Sequence, residues 1–135
     1  MTVMLDTDIC IYTIKRKPIG VLRRFEEYQP GMVFMSVITF AELINGAKKS
    51  QYVEENLRRL NALSELIEVL PFGKQAAMAY GDVRSELEKR GLIIGGNDLF
   101  IAAHALSLNL TLVTNNQKEF SRVKGLKIEN WAEEG

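Results

Sequence analysis

The chain has 135 residues, 47% of them apolar and 25% charged, a composition that suits one globular domain over residues 1–135 and excludes disorder, collagen and coiled coil. Seventeen Lys plus Arg balance seventeen Asp plus Glu, so no bulk basic field draws in nucleic acid and any such contact falls to local patches. One Cys and one His exclude an internal disulfide and a thiolate or imidazole zinc site, and Asp6 and Asp8 interrupt the apolar start too early for a signal segment or membrane span, so a cytoplasmic protein with no membrane role is expected.

Val3-Met4-Leu5 is a short continuous apolar run, as in a strand buried on both faces. Asp8 then reads as the N-cap of a helix from Ile9 to Lys15, and Pro18 stops that helix and opens another over Ile19 to Tyr28. After the Gln29-Pro30-Gly31 turn, Met32 to Met35 reads as a second strand and Ser36 as the cap of a helix from Val37 to Lys49. Leu57, Leu60, Leu63 and Leu66 repeat at helical spacing within Val53 to Leu66. Ile67 to Leu70 is a third strand, ended by Pro71, and Gln75 to Arg90 is an amphipathic helix stopped by Gly91. Gly95-Gly96-Asn97-Asp98 opens a helix running through Ile101, Ala102, Ala105 and Leu106, with Asn97 or Asp98 near its N-terminus. Thr111 to Val113 is a fourth strand, followed by a short helix near Lys118 to Val123, a break at Gly125 and a last strand near Leu126 to Ile128. Strands alternating with helices predict an α/β three-layer sandwich around a central, mainly parallel sheet of four to five strands.

In such a sheet the chemistry lies outside the carboxyl ends of the strands. Asp6 ends the first strand, Glu42 sits in the second turn of the helix after the second, Asp98 is at a helix start, and Asn116 follows the fourth. The three acids sit in apolar stretches with no sequence-adjacent Lys or Arg, an arrangement that is costly unless something compensates the charge. An oxygen-rich cluster of this kind suits a hard divalent ion, Mg2+ or Mn2+ before zinc, and points to metal-assisted phosphodiester hydrolysis. Each acid also has an ordinary reading: Asp6 as a helix cap, Asp98 as an acid favoured by a helix N-terminus, and Glu42 as a side chain turned to solvent.

The segments Met4-Leu5-Asp6-Thr7-Asp8-Ile9, Ser36 with Ala41-Glu42-Leu43-Ile44-Asn45-Gly46-Ala47, Asn97-Asp98 with Ile101-Ala102-Ala103-His104-Ala105, and Val113-Thr114-Asn115-Asn116 with Glu119-Phe120 resemble, in order and over nearly the whole chain, the motifs of PIN-domain ribonucleases. More narrowly, they resemble VapC-type toxins of bacterial toxin–antitoxin pairs. The resemblance places the catalytic and metal-ligating acids on Asp6, Glu42 and Asp98. The family's fourth acid falls on the neutral Asn116, which Glu119 would compensate one helical turn on, and Asp8 stands where the family often has Asn. Thr7, Ser36 and Thr114 then look like hydroxyls that orient the carboxylates. The resemblance further implies a Mg2+- or Mn2+-dependent endoribonuclease that cuts a structured RNA, with tRNA the expected substrate, and so inhibits translation. It implies neutralisation by a VapB-like antitoxin that lays a segment across the cleft, contact with promoter DNA only through that complex, and a homodimer.

Lys15-Arg16-Lys17, Arg23-Arg24 and Lys48-Lys49 could hold RNA phosphates, although cations at helix C-termini also complement the helix dipole. His104 and Cys10 read as core groups, and Trp131 as a residue that packs the C-terminal segment onto the body. Two other classes fit parts of the chain. An aspartate-based phosphatase would use Asp6 as nucleophile and Asp8 as acid but needs a site Lys; a non-catalytic PIN-like binding module takes its best support from Asn116.

Overall fold

The computed structural model describes residues 2–132. Its elements, in chain order, are β1 (Val3–Leu5), α1 (Thr7–Lys15), α2 (Ile19–Glu26), β2 (Val33–Ser36), α3 (Val37–Lys49), α4 (Val53–Leu66), β3 (Glu68–Leu70), α5 (Lys74–Arg90), α6 (Gly96–Ser107), β4 (Thr111–Val113), α7 (Gln117–Phe120) and β5 (Ile128–Glu129). The central strands β1 and β4 are buried from both sides, with side chains alternating between two apolar layers, while the edge strands β3 and β5 are half-buried or more exposed. Val3 and Leu5 enter the layer formed with Ile9, Val21, Leu43, Leu60 and Leu63, whereas Met4 enters the opposite layer with Val83, Leu87, Leu99, Ile101 and Ala102. Helices α1 to α4 therefore cover one face and α5 and α6 the other, which is the three-layer sandwich expected from the alternation of elements.

The described residues form one five-stranded sheet of order β3-β2-β1-β4-β5. Every neighbouring pair is parallel. Strand order reverses at β1, because the chain steps outward through β2 and β3 and then returns to pair β4 on the other side of β1. Crossover helices leave in opposite directions at such a reversal, so the carboxyl ends of β1 and β4 border a crevice.

Several element ends differ from the expectation drawn from sequence. The first helix begins at Thr7, not Ile9, and its N-cap is Asp6: the Asp6 carboxylate accepts a 3.0 Å hydrogen bond from the Ile9 N–H. Asp8 consequently lies inside the first turn, exposed, where its charge still faces the positive end of the helix. The second helix ends at Glu26 rather than Tyr28, the short helix after β4 shrinks to Gln117–Phe120, and the last strand is Ile128–Glu129, one step beyond the range expected from its apolar residues. Register with β4 decides that last position, since Val113 pairs Glu129. Trp131 is fully buried against Tyr28, with ring centroids 5.3 Å apart, under the Arg24 guanidinium at 5.7 Å.

Helix α5 ends at Gly91, whose φ of +67° lies in the left-handed region and turns the Leu92 N–H back onto the Leu87 carbonyl at 2.9 Å. A Cβ built there would meet nothing within 4 Å, so only backbone conformation opposes a side chain at this position. Gly91→Ala is expected to lower stability by about 1 kcal/mol, read by urea denaturation with an unchanged denaturant slope.

Candidate active site

Because all the strands are parallel, their carboxyl ends lie along one edge, and Asp6, Ser36, Thr114 and Asn130 each end or follow a strand there. Asp6 leaves β1 with its backbone N–H donated to the Val113 carbonyl of β4, which sets it at the reversal itself. It is only 5% exposed. Burial pushes its carboxyl from the ordinary 3.8 up to about 7, against a hydrogen bond from Thr114 and the Ile9 N–H, with Asp8 and Asp98 adding repulsion.

Asp98, in the first turn of α6, is brought to the same place from the other layer. Its carboxyl rises to about 6, first through burial, then through the charges of Glu119, Glu42 and Asp8, and a hydrogen bond shared with Glu119 favours the protonated form. Helix α6 starts without a side-chain cap, which leaves Asn97 and Asp98 free to face the crevice. Asn97 donates to Glu42 Oε2 at 3.1 Å, and Thr7 Oγ1 donates to Glu42 Oε1 at 2.5 Å. On the β4 side, Asn116 donates its backbone N–H to Thr114 Oγ1 at 2.9 Å and its side-chain amide to Glu119.

The structure thus gathers Asp6, Glu42, Asp98, Asn116 and Glu119 around one crevice, with Thr7 touching Glu42 and Thr114 touching Asp6. Ser36 stands apart from the carboxylates. Its hydroxyl caps α3 by accepting from the Ile38 N–H at 3.0 Å and lies 2.7 Å from His104 Nδ1, so it joins β2 to α6 beneath the site. His104 is 1% exposed, and burial holds its imidazole below the ordinary value, with the Pro71 carbonyl opposing. The Asn97–Glu42 contact joins residues 55 apart in sequence and has no local signature; only the adjacency of Asn97 to Asp98 at an uncapped helix start points toward it.

Among the described residues no Lys or Arg makes an ion pair with Asp6, Glu42, Asp98 or Glu119. No three side chains of the Asp, Glu, His and Cys type close around one point at ligation distance among those residues either, since Glu42 is drawn to Thr7 and Asn97 and Glu119 to Asn116. The donor set is nonetheless hard oxygen throughout, its charge is uncompensated, and two of its carboxyls are raised by burial and mutual repulsion. A divalent cation relieves all three conditions.

Beside the crevice a groove of about 330 Å3 runs from Thr7 and Glu42 between α1, α3 and α4, lined by Ile11, Leu43 and Leu60 with Lys15 and Arg59 among its walls. Lys15, Arg16, Lys17, Arg23, Lys48 and Lys49 are exposed, whereas Arg24 is committed to Glu129 at 2.9 Å and to the Trp131 ring. No helix among the described residues is long and apolar enough to cross a membrane.

Comparison with known proteins identifies the family and the fold. The profile of the PIN domain family matches residues 3–126. The chain is 45% identical over 128 residues to Ribonuclease VapC2 of Haemophilus influenzae, an alignment that covers 95% of this chain and 96% of that one. It is 46% identical over 129 residues to the tRNA(fMet)-specific endonuclease VapC of Shigella flexneri, covering 96% and 97%. Among solved structures, VapBC2 from Rickettsia felis bound to a DNA fragment from their promoter superposes with a TM-score of 0.89 at 42% identity, over 97% of this chain and 99% of the other.

The raised Asp6 carboxyl has a thermodynamic consequence with a definite sign. Its folded value of about 7 lies above the ordinary 3.8 of the unfolded chain, so the folded state binds more protons between those values and stability falls as pH rises through that window. Asp6→Asn keeps the acceptor for the Ile9 N–H and removes the charge. In EDTA the variant is expected to be more stable than the wild type at pH 8 by up to about 4 kcal/mol, with the gap closing toward pH 4. Chemical denaturation at both pH values checks this. His104, lowered in the folded state, loses stability as pH falls, but it is present in both proteins and cancels in the difference.

Proposed function

The chain belongs to the PIN domain family and is an endoribonuclease with VapC ribonucleases among its relatives, and from that premise we propose that it is a divalent-metal-dependent toxin that cuts a structured RNA, with tRNA as the expected substrate, to inhibit translation. The observation that carries the metal-dependent reading is the cluster of carboxylates at the strand reversal with raised Asp6 and Asp98 and no cation paired to it. Asp6, Glu42 and Asp98 would hold Mg2+ or Mn2+, which when bound supplies charge neutralisation at a phosphate and a water acidic enough to attack near neutral pH. The remaining work belongs to the chain's own side chains. Thr114 and the Ile9 N–H orient the Asp6 carboxylate and offset part of the cost of its burial, Thr7 and Asn97 fix both oxygens of Glu42, and Asn116 holds Glu119 beside Asp98. The raised values of Asp6 and Asp98 make proton release part of cation binding, so affinity for the ion rises with pH.

The exposed Lys15, Lys48 and Lys49 stand on the helices that border the crevice and would hold phosphates on either side of the scissile bond. The apolar groove opening on Glu42 suits a VapB-like antitoxin segment that presents apolar side chains to Ile11, Leu43 and Leu60 and a cation to the carboxylates. The solved relative from Rickettsia felis is bound to a fragment of promoter DNA together with its partner, and the corresponding complex of this chain would meet its promoter in the same way. A homodimer in the cytoplasm completes the proposal.

Purified protein incubated with total bacterial RNA is expected to produce discrete new ends with Mg2+ or Mn2+ and none in EDTA. Asp6→Asn and Asp98→Asn should each lower the rate by about a thousandfold or more, and Glu42→Gln similarly, because charge and orientation at the cation are lost together. Asn116→Ala should cost less, about tenfold. Cleavage that persists in EDTA, or in Asp6→Asn at the wild-type rate, would overturn the metal-dependent mechanism at this site, and RNA left intact under every condition would favour a binding module.

A further inference from the structure

The residue after the last strand touches the loop that carries Asn116 from both sides. Asn130 is 9% exposed, at the carboxyl end of β5. Its side-chain amide donates to Asn115 Oδ1 at 3.1 Å and lies 3.5 Å from Gln117 Oε1, while its own Oδ1 accepts the Ala132 N–H at 2.8 Å. Asn115 and Gln117 are the two neighbours of Asn116. Between them, Asn116 hands its backbone N–H to Thr114 Oγ1 and its side-chain amide to Glu119. Thr114 in turn hydrogen-bonds Asp6, and Glu119 shares a hydrogen bond with Asp98.

Asn130 is itself held in place. The Thr114 N–H donates to the Glu129 carbonyl at 2.9 Å, which sets β5 against the end of β4. The Glu129 carboxylate receives the Trp131 Nε1–H at 3.0 Å and Arg24 at 2.9 Å, and Trp131 is fully buried. A side chain fixed on both flanks, with its donor and its acceptor engaged, is poised to hold a short irregular loop. From this geometry we infer that Asn130 is a positioning residue for the nuclease site: it clamps Asn115 and Gln117 so that Asn116, Glu119 and Thr114 present fixed oxygens and donors to Asp6 and Asp98. The inference rests on the nuclease reading above and adds the segment after β5 to its working parts.

The test compares Asn130→Ala, Asn115→Ala and the double variant with wild type, and uses Asp6→Asn as the reference for loss of the reaction. Asn115 is exposed, so its truncation leaves folding intact and keeps the test valid even where Asn130→Ala lowers the melting temperature. Each single variant should lower kcat on RNA by about tenfold or more with KM within about twofold, and Asn115→Ala should melt within about 3 °C of wild type. Amide hydrogen exchange should quicken at Asn116 and Phe120, whose N–H groups bond Thr114 Oγ1 and the Asn116 carbonyl. The double variant should be no slower than the worse single, because both substitutions remove the same Asn115–Asn130 contact. Wild-type kcat in Asn115→Ala, multiplicative losses in the double variant, or a kcat loss in Asn130→Ala alone that tracks its melting temperature would each overturn the inference. Should wild type cleave no RNA, the nuclease reading fails by itself; exchange at Asn116 and calorimetric affinity for Mn2+ alone still report on the clamp, and unchanged values in both would sink it.

Discussion

The burial of Asp6 at the end of β1, which makes its charge costly, is the constraint on which the site depends. A parallel sheet puts every carboxyl end on one edge, and the reversal of strand order at β1 leaves that edge open next to Asp6. Its carboxylate is nearly out of water, close to Asp98, and without a Lys or Arg ion pair among the described residues. What supports its charge comes from the backbone and from hydroxyls: the free N–H at the start of α1 and the Thr114 side chain. Both are fixed dipoles, which lower the energy of the anion without neutralising it. The site therefore retains the negative potential that an incoming cation needs.

The same economy of neutral donors extends around the crevice. Thr7 belongs to α1, Asn97 to α6 and Glu42 to α3, so the two hydrogen bonds on Glu42 tie helices from opposite layers of the sandwich across the strand ends. Beneath them, Ser36 and His104 join β2 to α6 through a buried contact of 2.7 Å. This last contact is short and shielded from water, and in a low-dielectric setting it holds its partners more firmly than an exposed ion pair would. The exposed pairs on α4 and α5, such as Arg59 with Glu55, are of the weaker kind.

Much of this was legible in the sequence, and the exceptions have physical reasons. The continuous apolar run Val3–Leu5 announced a strand buried on both faces, Thr111–Val113 read as another strand, and Ser36 announced the helix it caps. Asp6 and Asp8 both have the chemistry of a cap, and composition alone does not choose between them; the choice was made by the hydrogen bond from Asp6 to β4, which fixes where the strand ends and the helix begins. The apolar pattern placed the last strand too early because β5 is set by pairing with β4, not by its own side chains. Thr7 and Thr114 were recognisable as neighbours of acids. Ser36 was expected in the same role, but its hydroxyl is consumed by the cap and by His104. Asn97 and Asn130 act on partners 55 and 15 residues away, and no local rule encodes such distances.

The groove and the carboxylates share Glu42 as a common wall. On the reading proposed here, an antitoxin segment seated in that groove and a cation in the crevice are rivals for one negative charge, even though most of their contacts are separate. Inhibition of this kind has the form of thermodynamic linkage: each occupant weakens the other by the same factor. The cell's free magnesium would then set how firmly the toxin is silenced, and a partner that brings its own positive charge gains its advantage most where the metal is scarce.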